Sequence, residues 1–89
     1  MKKLVNVTEV EGEGLVSLLG EKVMVFCVNY IYAGTLAGVN KDDILLEDAS
    51  IVYETGDLCA DKFQDAQKLP APVYLRTSCI ESYCVSGKR

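Results

Sequence analysis

Three short apolar runs, separated by an asparagine-centred turn and a polar loop, occupy residues 18–47. Apolar runs joined by turns this short are typical of a three-stranded antiparallel meander. The chain has only 89 residues, so it has room for one core, and a chain of this size buries about 60–65% of its unfolded surface. Such a meander must therefore curl on itself or pair with another chain to cover both of its faces.

The strands of this meander can be placed from composition. Residues 23–28 are β-branched and aromatic on both faces, which predicts a central strand. Residues 30–39 are expected to return as a second strand, in which Gly34 and Gly38 permit a sharp bend or mark a bulge. A bent strand lets one sheet wrap into a small barrel, which is what a chain of this length can form.

The rest of the chain continues this pattern with two exceptions. Residues 44–46 and 49–54 predict two further strands or one bent strand, and residues 73–85 predict a last strand that is interrupted at Thr77-Ser78. A short helix is predicted at about 9–19, ending near Gly20. Residues from about 56 to 70 have little periodicity and end in a proline-rich segment, so we expect a long loop there.

The composition narrows the function classes. The net charge is −4 and the sequence pI about 4.6, so the average surface repels phosphate and any nucleic-acid role needs a local basic site. The chain has no histidine, which is the commonest general base and metal ligand, and no serine or cysteine has an obvious activating partner in the sequence. We therefore expect a protein that is not an enzyme and that has no cofactor.

The cysteines and the hydropathy bear on metal binding and location. Four irregularly spaced cysteines without a CxxC pair do not predict a zinc site, and three of them lie in apolar runs, which favours buried, reduced thiols. No apolar run approaches the roughly 18 residues that a membrane span needs. The first residues do not resemble a secretory signal. We expect a cytoplasmic protein with no membrane partner.

Two motifs resemble those of the Sm-like family, which includes the LSm and Hfq proteins, and the resemblance covers roughly residues 14–85. The first motif is an apolar strand and small turn at 23–29, followed by Gly34-Thr35-Leu36 and by residues 38–40, which lead to the apolar run 44–46. The second motif resembles the stretch Leu75-Arg76-Thr77-Ser78-Cys79-Ile80, in which Thr77 takes the place of the family glycine.

The resemblance implies an all-β fold: a small, strongly bent, five-stranded antiparallel barrel of the SH3-like and Sm-like type, spanning about 22–85, under a short N-terminal helix. It also implies that identical subunits pair edge to edge in a homo-oligomeric ring. Strand physics favours the same assembly, because residues 73–85 contain only Arg76 and Glu81 as charges to protect an open edge. A head-to-tail contact between identical copies leaves no strand edge unpaired when the rotation from one copy to the next closes a ring.

In this family, RNA bases enter the central pore. The resemblance carries that role to Asn40, Lys41, Arg76 and Thr77, with Arg76 at the cationic position of the second motif. Asp42 lies where a base-stacking aromatic residue often sits, and with Asp43 it opposes phosphate binding. The structural alternatives are that Asn40 hydrogen-bonds its own turn and that Arg76 forms an ion pair between subunits.

Two function hypotheses follow. The first is a ring that binds single-stranded RNA at its pore. The second is a ring of the same kind that serves as a structural or protein-interaction scaffold without RNA, which the acidic pI and the two pore-loop aspartates support. Two adjacent acids usually form a polar turn, so we do not predict a metal ion at Asp42 and Asp43.

The tyrosines bear on a third hypothesis. Tyr30, Tyr32 and Tyr53 are expected to pack in the core or an interface rather than to stack on bases. A single SH3-like adaptor barrel would need aromatic residues clustered on an exposed groove, whereas these are spread along the predicted strands.

Overall fold

The computed structural model describes residues 12–86. Two short 3₁₀ helices, η1 (Leu15–Leu18) and η2 (Thr77–Cys79), accompany the strands. The strands are β1 (Lys22–Cys27), β2 (Ile31–Val39), β3 (Asp43–Glu54), β4 (Asp65–Lys68), β5 (Val73–Arg76) and β6 (Ile80–Val85). The described chain is mainly β, as the sequence predicts.

All of these strands belong to one antiparallel sheet. Its order is β4-β3-β2-β1-β6, and β5 pairs with β3 off this path. Strand β1 has β2 on one side and β6 on the other, which confirms the prediction of a central strand at 23–28. The predicted interruption of the last strand is the helix η2, which separates β5 from β6.

Strand β3 is one long, bent strand rather than two. Its first residues pair with β5, from Asp43 opposite Arg76 to Leu46 opposite Val73, and its last residues pair with β4. Between these two ladders Asp48 has a φ of 51°, a left-handed conformation that a regular strand does not contain. The register between β2 and β3 shifts at the same level. This bulge redirects β3, so that two separate strands pair along one of its edges.

Two apolar clusters cover the two faces of the sheet, because side chains alternate along each strand. The main cluster lies on the face of Val23 and Val25, and the second lies on the face of Met24. Phe63, from the connection between β3 and β4, packs against the second cluster. The main cluster consists of Val23, Val25, Leu36, Ile44, Leu46, Ala49 and Leu75, none more than 6% exposed.

The sheet does not close into a barrel. Within residues 12–86, β4 and β6 stand at opposite ends of the strand order, and no ladder joins β6 to β4 or to β5. The predicted closed, five-stranded barrel is therefore wrong in its closure and in its number of strands. The chain turns at η2 before β6, and the second edge of β6, which would have to pair with β5 to join the two ends of the sheet, has no ladder among the described residues.

The predicted N-terminal helix is also wrong in its described part. Residues 9–11 lie outside the described range, and the following residues form only the 3₁₀ turn η1. Gly12 and Gly14 have φ values of 87° and 82°, which are incompatible with a right-handed helix. The turn still packs Leu15 and Leu18 against the main cluster.

The predicted long loop at about 56–70 contains a strand. Strand β4 has the sequence DAQK and is exposed throughout, so it has no hydrophobic periodicity that a sequence pattern could reveal. It forms through backbone pairing with β3 at the edge of the sheet, where polar strands are common. The proline-containing segment that follows separates β4 from β5, as expected for residues that cannot continue a ladder.

Replacing Gly34 by alanine should destabilise the fold. A Cβ atom at Gly34 would lie 2.9 Å from the carbonyl oxygen of Glu47 and 3.1 Å from the Cα of Ala49, both backbone atoms of β3. We expect Gly34→Ala to lower the free energy of unfolding by about 1–3 kcal/mol in urea titrations followed by circular dichroism. Gly38→Ala is the matched control, because its Cβ would make only an ordinary contact, 3.5 Å from the Cβ of Leu45. Equal stability of the two variants would contradict this account.

Candidate functional site

The ladder between β3 and β5 brings together two turns that are distant in sequence. Asp43 and Arg76 are paired across this ladder. Just beyond them, the backbone N–H of Thr77 donates to the carbonyl oxygen of Asp42 at 2.9 Å, and its hydroxyl reaches the same oxygen at 3.2 Å. The turn at residues 40–42 and the turn at 77–78 therefore form one surface.

Asn40 closes its own turn. Its backbone N–H donates to the carbonyl oxygen of Asp43 at 2.8 Å, and its side-chain Nδ2 donates to Asp43 Oδ1 at 2.8 Å. This contact is the structural alternative that the sequence offers for Asn40. It also occupies one carboxylate oxygen of Asp43.

Arg76 is the exposed cation of this surface. It lines a shallow polar cleft of about 440 Å³ together with Asp42, Asp43, Thr77 and Ser78. Although Arg76 pairs with Asp43 along the backbone, no carboxylate oxygen among residues 12–86 lies within 4 Å of its guanidinium. Lys41 is exposed in the neighbouring turn and does not line the cleft. The structure thus brings Arg76 and Thr77 together with the turn that contains Asn40 and Lys41.

A second cavity lies on the other side of Arg76. Its volume is about 290 Å³, and it opens between the β1–β2 turn and the end of β5. Among residues 12–86, Arg76 is the one charged residue in its lining, and no aspartate or glutamate of that range contributes to it. The other lining residues are Cys27, Val28, Asn29, Tyr30, Tyr32, Tyr74, Leu75 and Cys79.

Tyr30, Tyr32 and Tyr74 line this cavity. Of the tyrosines that the sequence predicts to pack in the core or an interface, Tyr30 and Tyr53 do not lie in the core, and packing at an interface stays a prediction. Tyr30 is 49% exposed and Tyr74 is 63% exposed, whereas Tyr32 is half-buried. The rings of Tyr30 and Tyr32 meet edge to face, with centroids 6.3 Å apart and planes inclined by 74°. Tyr30 and Tyr32 are two positions apart in the sequence, and this spacing places side chains of an extended chain on the same face. It is the signal that could have indicated their association.

Burial governs the ionisable groups inside this cavity. It raises the pKa of the Cys27 thiol, and electrostatic interaction with Cys79 and Glu81 raises that pKa further. Burial likewise raises the pKa of the Tyr32 hydroxyl, with a smaller contribution from Cys27. Both groups are therefore protonated at neutral pH, and neither adds negative charge to the cavity.

The exposure of the other cysteines differs from the prediction of buried thiols. Cys59, Cys79 and Cys84 are exposed, and Cys27 is half-buried; all four are free thiols. Within residues 12–86, no three cysteine, aspartate or glutamate side chains come together in an arrangement that could hold a metal ion.

A scan against models of protein families and a search of curated proteins both found no match to this chain. No helix in the described part of the chain is long and apolar enough to cross a membrane.

An ion pair stands apart from both cavities. Lys68 on β4 lies 2.9 Å from Asp48 at the bulge of β3, with both side chains largely exposed. The hydrogen bond and the charge of Lys68 lower the pKa of the Asp48 carboxyl below its ordinary value of 3.8, and Lys22 contributes a smaller effect. A carboxyl whose pKa is lowered by folding stabilises the fold above its unfolded pKa and loses that contribution as the pH falls.

The variant Asp48→Asn should therefore differ from the native protein in a pH-dependent way. We expect the native protein to be slightly more stable than the variant at pH 6, and this difference to shrink as the pH falls below about 4. Thermal unfolding at a series of pH values measures it. Lys68→Gln should give the same profile, and a stability difference that is constant with pH would show that the pair makes no electrostatic contribution.

Proposed function

We propose that this protein is an Sm-like subunit that assembles with copies of itself into a closed ring and binds single-stranded RNA through Asn40, Lys41, Arg76 and Thr77. In this proposal Arg76 and Lys41 contact phosphate or a base, and the Asn40 turn positions them. The protein performs no catalysis in this role.

The observation that carries the proposal is that, within residues 12–86, the guanidinium of Arg76 has no carboxylate partner. An exposed arginine in an acidic protein usually lies near a carboxylate, yet Asp43 on the paired strand is engaged by Asn40 and lies beyond ion-pair distance. A guanidinium can meet phosphate with two parallel hydrogen bonds or stack on a base. Arg76 retains that capacity at a surface where two turns converge.

The open edges of the sheet support the assembly. Within residues 12–86, strand β6 has one neighbour, β1, and leaves Tyr83 and Val85 partly exposed, 37% and 55%. Strand β5 likewise has one described neighbour and carries a single charge, whereas β4 carries Asp65 and Lys68. Because charged side chains protect an edge from pairing, we assign the contact to β6 of one copy and β5 of the next. Such a head-to-tail contact between identical copies produces a ring when its rotation closes.

A scaffold ring without RNA is the second candidate, and a different observation favours it. The amide of Asn40 and the hydroxyl of Thr77 already donate hydrogen bonds within the protein. The carboxylates of Asp42 and Asp43 line the same cleft as Arg76, so the local charge with Lys41 included is balanced. Phosphate binding would then lack the excess of positive charge that usually drives it.

Oligonucleotide binding distinguishes these functions. We expect labelled uridine-rich and adenine-rich RNA to bind in about 50 mM salt and to bind more weakly in about 200 mM salt. Arg76→Ala should lose about 1.5–3 kcal/mol of binding free energy, because a charged hydrogen-bond donor is removed. Fluorescence anisotropy measures both effects.

Lys62→Ala is the control for the loss of one positive charge, since Lys62 lines neither cavity. Absence of RNA binding by the native protein in about 50 mM salt would reject RNA binding and leave the scaffold. If Arg76→Ala instead dissociates the oligomer, the residue forms an ion pair between subunits.

The assembly itself predicts a concentration-independent mass of several subunits. Light scattering at tens of micromolar protein should give that mass, and Val85→Lys should reduce it, because a new charge at the edge of β6 opposes strand pairing. Tyr53→Lys is the matched control, since Tyr53 is similarly exposed but lies on β3, which is paired along both edges. A monodisperse monomer of the native protein would exclude the ring.

A further inference from the structure

We propose that the tyrosine-lined cavity beside Arg76 is a nucleobase-binding subsite, in which one base of the bound RNA stacks against Tyr30 and Tyr74 while Arg76 holds the adjoining phosphate. This inference rests on the proposed function. It assigns the base to the aromatic side of Arg76 rather than to the polar cleft.

The dimensions of the cavity fit one planar ring. Its volume of about 290 Å³ lies just below the range of about 300–1,000 Å³ for ligand pockets, which suits a single base better than a larger molecule. The side chains at its mouth are accessible, because Tyr30 is 49% exposed and Tyr74 is 63% exposed. A base can therefore contact these rings without rearrangement of the core.

The side chains that line the cavity suit a ligand with a planar ring and a neighbouring negative charge, as in a nucleotide. Tyrosine rings present π-faces on which any base can stack, and this contact is the usual means of holding single-stranded nucleic acid without a fixed sequence. Arg76 supplies the only charge that the described part of the chain contributes to the lining, and it is positive. The raised pKa values of Cys27 and Tyr32 keep these two groups neutral, so neither repels a nucleotide at neutral pH.

The polar cleft on the other side of Arg76 cannot provide this contact. Asp42 and Asp43 line it, and neither side chain can stack on a base or attract phosphate. Arg76 belongs to both linings, so a nucleotide can place its phosphate at the guanidinium and its base toward the tyrosines. In this proposal Tyr30 and Tyr74 supply the aromatic contact that Asp42 cannot make.

The test compares RNA with a base-free backbone. A uridine-rich oligonucleotide and an oligonucleotide of the same length with abasic residues at its central positions are titrated in about 50 mM salt. We expect the native protein to bind the complete oligonucleotide at least about five-fold more tightly, because each stacked base contributes on that scale. Tyr30→Leu and Tyr74→Leu should abolish this preference, whereas Tyr30→Phe and Tyr74→Phe should retain it.

Tyr53→Leu is the matched control, because Tyr53 is 52% exposed and lines neither cavity. Circular dichroism and light scattering establish that each variant is folded and keeps its mass. If Tyr30→Leu does not fold, the more exposed Tyr74→Leu decides the question.

Each other outcome overturns the inference in a distinguishable way. Equal affinity for the complete and the abasic oligonucleotide, with Arg76→Ala still harmful, would reject the base subsite and leave the proposed function intact. Absence of binding to both would reject the proposed function and this inference with it. If Tyr74→Leu changes the oligomeric mass while RNA affinity per site is unchanged, the tyrosines form a contact between copies of the chain.

Discussion

The bend of β3 is the constraint on which the rest of the structure depends. A straight strand of this length would pair with one strand along the edge that faces away from β2. The left-handed backbone conformation of Asp48 bends β3, so that β4 and β5 each pair with a part of that edge. Gly34 makes the bend possible, because the backbone of β3 passes too close to it for any side chain. The pairing of β5 with the start of β3 then brings the second motif against the turn that precedes β3.

This arrangement gives Arg76 an unusual position. Its side chain lines two cavities. One is the polar cleft, which contains the carboxylates of Asp42 and Asp43, and the other is the aromatic cavity, to which no described carboxylate contributes. In an acidic protein, long-range attraction of RNA is weak, so the proposed RNA binding requires short-range contacts such as stacking and directed hydrogen bonds. In the proposal, one guanidinium and the neighbouring phenol rings supply those contacts without a strongly basic surface.

The incomplete sheet connects the fold to assembly. A domain of this size buries a small core, and the described chain leaves three strands with one neighbour each. The segment around Phe63 covers the outer face of the sheet at the second cluster rather than an edge. Of these three described edges, those of β5 and β6 carry one charge each and are the less protected from strand pairing, which is the physical basis of the proposed ring.

The sequence by itself determined the β class, the central strand, the second strand with its glycines, and the break at Thr77, because these depend on hydrophobic periodicity and on local backbone preferences. It also identified the two turns that meet at Arg76. Only the tertiary structure decided that the polar segment DAQK is a strand, that the sheet stays open, and that Tyr30 and Tyr74 are exposed beside Arg76. These features depend on which backbone edges and side chains become neighbours after folding, and no local pattern in the chain carries that information.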